Sequence, residues 1–113
     1  MSVSKKMALQ RTILMVLLAG NSLFVQAGDV QRGKVLHDEN CTKCHISLVG
    51  GDGSGIYVRE DRRIESYSAL YKQVKRCKTS LGVPWPEHQI EDVITYLNST
   101  FYKFKVPEKN NND

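Results

Sequence analysis

Three sulfurs and one imidazole carry most of the chemistry this sequence offers. Cys41-Thr42-Lys43-Cys44-His45 reads C-x-x-C-H. Two thiols spaced in this way can add to the two vinyl groups along one edge of a porphyrin, and a histidine directly after the second thiol then lies under the iron as proximal ligand. The run is the attachment pattern of a single, covalently bound c-type haem. Two other chemistries use the same residue types. A zinc knuckle needs four ligands at paired spacings, and no second Cys/His pair follows. A thioredoxin-like redox pair needs a strand–turn–helix context in a longer α/β pattern, which is absent. Cys77 is left over, and an odd count of three cysteines does not read as a disulfide framework.

Haem attachment of this type takes place outside the bacterial cytoplasm, and the start of the chain meets that condition independently. Lys5, Lys6 and Arg11 form a positive segment, Ile13 to Ala19 a compact apolar run, and Val25-Gln26-Ala27 a signal-peptidase site. Residues 1–27 are therefore expected to be a cleaved secretory signal peptide, with the mature protein in the periplasm. The apolar run falls short of the roughly 20 residues a spanning helix needs, and Gly20, Asn21 and Ser22 interrupt it, so the mature form is expected to have no membrane span. Of the net charge of +4, the signal segment holds three basic residues and no acid, which leaves the rest nearly neutral. A nucleic-acid footprint is not supported.

From Gly28 to Asp113 the chain has 86 residues, enough for one small domain near the low end of self-sufficiency. Such a domain needs a staple. The expected elements are helices, with no strand pattern and no repeat. Asp29 can cap a helix through Val30 to His37 that ends near Asn40. Gly33, in mid-helix, costs about 1 kcal/mol relative to alanine and points to close approach of another helix. Residues 46–56, with Gly50, Gly51, Gly53 and Gly55, read as a flexible loop rather than a phosphate cradle. Arg59, Arg62 and Arg63 follow, either as partners of haem propionates or as a solvated surface. Tyr67, Leu70, Tyr71 and Val74 mark one face of a second helix from about Ser66 to Cys77, and Cys77 continues that stripe. Pro86 opens a third helix, where Glu87, Glu91 and Asp92 suit the dipole and Ile90, Val93, Ile94, Leu97 and Phe101 form the apolar stripe. Residues 107–113 are expected to be a frayed tail.

Three helices around a c-type haem resemble the all-α class I cytochrome c fold, and the resemblance implies a cytochrome domain over 28–106. Gly33-Lys34-Val35-Leu36-His37 resembles the family's N-terminal helix and Val93-Ile94-Thr95-Tyr96-Leu97 its C-terminal helix. In the family these cross near a glycine and an aromatic, here Gly33 and Tyr96. His37 stands where the family usually has Phe or Tyr, which implies a packing role rather than ligation. The family usually supplies a methionine as second axial ligand shortly before the last helix. That stretch here is Gly82-Val83-Pro84-Trp85-Pro86, and the only methionines are Met1, Met7 and Met15.

The distal ligand must then be another side chain, water or nothing, with Cys77, His88, His37 and lysine as candidates. Cys77 is the strongest, because an unpaired thiol in an oxidising compartment needs protection and its cationic neighbours Lys72, Lys75, Arg76 and Lys78 favour the thiolate. An inert buried cysteine and a disulfide to a partner chain are its alternatives. Trp85 is expected in the core or at the haem edge. The segments around Cys77, Gly82 to Trp85 and Asp92 to Asn98, with Tyr102-Lys103-Phe104, resemble a subgroup of small proteobacterial monohaem cytochromes, and the arrangement is similar to the His/Cys-ligated monohaem cytochromes. These include the heterodimeric pair of anaerobic ammonium oxidisers, which bind carbon monoxide and nitric oxide.

The expected function is a low-potential one-electron carrier with His45 proximal and Cys77 distal, since a thiolate stabilises ferric iron. The alternative is a haem protein that binds or senses nitric oxide or carbon monoxide. Independent catalysis is not expected, because no acid/base constellation forms a substrate site; at most the chain is a redox subunit of a larger enzyme. The implied partners are a redox protein and, from the resemblance, a homo- or heterodimer with a related cytochrome. The basic run Lys72 to Lys78 reads either as a docking patch or as a solvated helix end that tunes Cys77.

Overall fold

The computed structural model describes residues 28–108. The expected signal peptide, residues 1–27, and residues 109–113 of the expected tail lie outside the described residues. Helix α1 (Val30–Asn40) begins where the Asp29 side chain accepts a hydrogen bond from the Arg32 N–H. Helix α2 (Thr42–Val49) follows after a single residue, Cys41, and carries most of the C-x-x-C-H run. The loop expected over 46–56 is therefore shorter than its glycines implied. Ile46-Ser47-Leu48-Val49 contains no helix breaker, so the helix continues to Gly50, which has a positive φ. A short helix α3 (Gly55–Val58) closes the glycine-rich turn.

Helix α4 (Tyr67–Leu81) is capped by Ser66, which accepts from the Ala69 N–H at 3.1 Å. It runs four residues beyond the expected end at Cys77, because the first breaker after Tyr67 is Gly82, in the left-handed region at its C-terminus. Helix α5 (Glu87–Leu97) starts after Pro86 and continues as a π-helical turn, Asn98–Tyr102. The buried Asn98 side chain then clamps the outgoing chain: its Nδ2 donates to the Phe104 carbonyl at 2.9 Å and its Oδ1 accepts from the Phe104 N–H at 2.8 Å. No strand occurs among the described residues, and the fold is all-α. None of their helices is long and apolar enough to cross a membrane.

The core is built on α5, which is covered on two faces. Ile90, Val93, Ile94 and Leu97 are buried as the apolar stripe requires, but so are Asp92 and Tyr96 on the side that meets α1. The crossing falls at Gly33 and Tyr96, as the family resemblance implied. A Cβ built on Gly33 would overlap the Asp92 carbonyl and reach within 2.9 Å of the Tyr96 Cβ. Asp92 departs from its expected role at the helix terminus. It is 2% exposed, and its carboxylate accepts from the Asp29 N–H at 2.7 Å and from Arg32 Nε at 3.1 Å. Burial pushes this carboxyl upward, but the Arg32 and Asp29 hydrogen bonds outweigh it and hold Asp92 below the usual range.

Helix propensity alone would make Gly33→Ala stabilising by about 1 kcal/mol. The close crossing reverses the sign: the substitution is expected to cost ~1–3 kcal/mol through overpacking. Denaturant unfolding of the two proteins reads the difference directly.

Candidate functional site

A cavity of about 690 Å³ lies between α2, α3, the segment that follows it, α4 and α5. Its volume is within the range of small-molecule and cofactor sites. Cys41, Cys44 and His45 line one part of it, and Cys77 lines it from α4. The spare cysteine of the sequence thus shares one cavity with the C-x-x-C-H run. Leu70, Val74, Trp85, Val93 and Leu97 supply apolar walls. Six lining residues are cationic, Arg59, Arg62, Arg63, Lys72, Arg76 and Lys78, and none is acidic. Such a rim favours an anionic group on the occupant.

The helical spacing of α4 explains the position of Cys77. Leu70 and Val74 are buried on the inward face, and Cys77, one turn on, is half-buried. Gln73, one turn earlier, donates from Nε2 to the Cys77 sulfur at 3.4 Å. Cys41 is half-buried at the junction of α1 and α2, whereas Cys44 is exposed. Burial first, and then the neighbouring Cys77 and Cys44, push the Cys41 thiol up to about 11.

His45 is held by Gly53 and Tyr57. Gly53, at φ +83°, packs its backbone so closely that a Cβ there would lie 2.9 Å from the His45 Cβ and 3.0 Å from the Ile46 nitrogen. The Tyr57 ring meets the imidazole edge-on, with centroids 5.2 Å apart. The Tyr57 hydroxyl lies 2.8 Å from His45 Nδ1 and 2.7 Å from His37 Nε2. His37 Nδ1 in turn lies 2.9 Å from Asp38 Oδ1. Burial, and secondarily the nearby His37, lower the His45 pKa, which favours the neutral imidazole that a metal requires. Burial likewise raises the Tyr57 hydroxyl, so it remains protonated.

The other sequence candidates separate clearly. His88 is exposed and lines a smaller cleft with Arg32 and Asp92, away from the sulfurs. His37 is 4% exposed, packs at 5.2 Å against Tyr96 and does not line the main cavity, in keeping with its expected packing role. Trp85 is buried and lines the cavity. Of the three arginines, Arg62 is already engaged. It donates to the Tyr57 carbonyl at 3.1 Å and lies over the rings of Tyr102 and Phe104. Arg59 pairs with exposed Asp61 at 3.4 Å. Lys75 is drawn outward to Glu87 at 3.3 Å.

Tyr57 and Gln73 are the site residues that sequence reasoning missed. Gln73 lies one helical turn before Cys77, and that spacing was the available signal. Tyr57 had none, since its partners lie 12 and 20 residues away. Among the described residues, no group of three His, Cys, Asp or Glu side chains is placed to hold a bare metal ion. No family model, curated protein or solved structure matches the chain.

Iodoacetamide at pH 8 is expected to label exposed Cys44 first and Cys41 last in the unmodified chain, with Cys41 labelling rising as the pH approaches 11. Peptide mass mapping over a time course reads the order.

Proposed function

We propose that the protein is a periplasmic monohaem c-type cytochrome of the class I type, acting as a low-potential one-electron carrier. The observation that carries this reading is the meeting of Cys41, Cys44, His45 and Cys77 in one apolar cavity with a cationic rim. The residues fit the group. Cys41 and Cys44 would hold it through thioethers, His45 would be the proximal ligand and Cys77 the distal one. Apolar side chains from α4, α5 and Trp85 would pack on the macrocycle. Arg59, Arg63, Lys72 and Lys78 would balance the propionates, whose carboxylates suit arginine in particular.

When bound, the haem supplies a metal that changes oxidation state by one electron without rearranging its ligands. The chain does the rest. The apolar walls exclude water and so limit the reorganisation that electron transfer demands. Cys77 as thiolate would place negative charge beside the metal and favour the ferric state, which sets the low potential. Gly53 and Tyr57 hold His45 on its other side. Among the described residues, the one hydrogen-bonded titratable pair lining the cavity, His45 and Tyr57, would be taken up in holding the haem, so the protein would serve as a carrier or as a redox subunit of a larger enzyme. Its partner would be another redox protein, and a related cytochrome subunit is an expected companion.

The alternative, binding of nitric oxide or carbon monoxide, draws on Gln73. A Cys77 sulfur displaced by a gas would have the Gln73 amide at hand as a hydrogen-bond donor, which would lower the cost of letting go.

Electron paramagnetic resonance of the ferric protein beside Cys77→Ala tests the ligation. A low-spin thiolate signal should disappear on substitution, and the midpoint potential should rise by more than about 59 mV, tenfold for one electron. Unchanged spectra would remove Cys77 from the metal. Absorption spectra of the reduced protein with and without carbon monoxide separate the two functions: a carrier with fixed ligands shows no change, and a gas-binding protein shows a shifted Soret band.

A further inference from the structure

Resting on the haem reading above, the hydrogen-bonded run Asp38–His37–Tyr57–His45 has a consequence for ligation. A histidine that binds a metal through Nε2 must carry its proton on Nδ1 and give that proton to an acceptor. The group facing His45 Nδ1 is the Tyr57 hydroxyl, at 2.8 Å. If its oxygen accepts from His45, its own proton must go elsewhere, and the neighbour at 2.7 Å is His37 Nε2. His37 Nε2 then acts as an acceptor, which places the His37 proton on Nδ1, pointing to Asp38 Oδ1 at 2.9 Å. An ionised carboxylate can only accept, so the run has a consistent polarity along its whole length. The Asp38 carboxyl is kept ionised chiefly by Lys34, which donates to its other oxygen. The reverse polarity would turn the Tyr57 proton toward His45 Nδ1 and leave Nε2 protonated, with no lone pair for iron.

We propose that Tyr57 and His37 are positioning residues that set the tautomer and the donor strength of the His45 imidazole. Tyr57 is the residue in contact with the ligand, and His37 acts through it by taking the hydroxyl proton. Both lie in surroundings that support a fixed arrangement. Tyr57 is buried between Phe101 and Tyr102, with ring centroids at 5.0 and 5.9 Å, and His37 is wedged at the α1–α5 crossing. Accepting the Nδ1 proton makes the imidazole a stronger donor and stabilises the ferric state, so loss of the acceptor should raise the potential.

The test uses the exported, haem-loaded protein. Tyr57→Phe removes the hydroxyl and keeps the ring. It should retain covalent haem while the potential moves upward by about tenfold in the ferric-to-ferrous ratio, or about 59 mV, and the rhombicity of the ferric paramagnetic signal changes. His37→Phe should shift the potential in the same direction, and the double variant should go no further than Tyr57→Phe, since both act on one bond. His37→Gln, whose amide oxygen can accept the hydroxyl proton, should restore most of the wild-type value. A loaded Tyr57→Phe protein with wild-type potential and spectrum would overturn the proposal while leaving the haem reading intact. A wild-type chain that takes up no haem would overturn both. If Tyr57→Phe fails to load, proton magnetic resonance of the ferrous wild type decides. A slowly exchanging His45 Nδ1 proton close to the Tyr57 ring supports the assignment, and one in contact with a different residue or in fast exchange refutes it.

Discussion

With no side chain at residue 33, the backbone of α1 comes against the backbone of α5, and the geometry of the site depends on that approach. Gly33 sits over the Asp92 carbonyl and Tyr96. One turn further, His37 is pressed against Tyr96 and brought within hydrogen-bonding distance of Tyr57. One more turn ends the helix at Asn40 and delivers Cys41 to the cavity. At the other end, Asp29 and Arg32 converge on the buried Asp92 carboxylate, which fixes the N-terminus of α1 along α5. A larger residue at 33 would lift α1 and move the thiol, the buried histidine and the N-terminal anchor together. Packed interiors resist such displacement, which is why one missing methyl group can govern so much of the geometry.

The cavity joins two kinds of surface that a small domain seldom places together. Its walls are aliphatic and aromatic, and its rim is cationic with no lining carboxylate. Clustered cations attract negative charge, and apolar walls gain dispersion contacts from an apolar surface. An occupant that is flat and apolar at its centre and anionic at its edge would meet both. His37 and Tyr57, behind His45, are buried in the same region, where an unpaired group would be costly. Among the described residues, every buried side-chain nitrogen and oxygen has a partner. The site is therefore polar where it grips the imidazole and apolar where it faces the cavity.

Much of the framework is encoded locally. The Asp29 and Ser66 caps, the start of α5 after Pro86 and the inward stripe of α4 depend on residues within a turn or two of one another, and the chain adopts them as its spacing implies. The departures are equally local in origin. The glycines near position 50 drew the expected loop too far back, although Ile46 to Val49 contains nothing to break a helix, and α4 continues past Cys77 to the first glycine. Asp92 was misplaced for a different reason. Its charge and position suit a helix dipole, and only the arrival of Asp29 and Arg32 from 63 and 60 residues away turns it into a buried anchor.

The amino-acid sequence by itself determined the C-x-x-C-H run, the odd third cysteine, the absence of methionine after residue 15 and the close-contact glycine at 33, because each is a matter of residue type and short spacing. Only the tertiary structure decided that Cys77 shares a cavity with Cys41, Cys44 and His45 while His88 lies elsewhere, and that Tyr57 bridges His45 to His37. Those pairings join residues far apart along the chain. Their distances follow from how whole helices pack, and helix packing depends on the summed fit of many side chains rather than on any one short stretch.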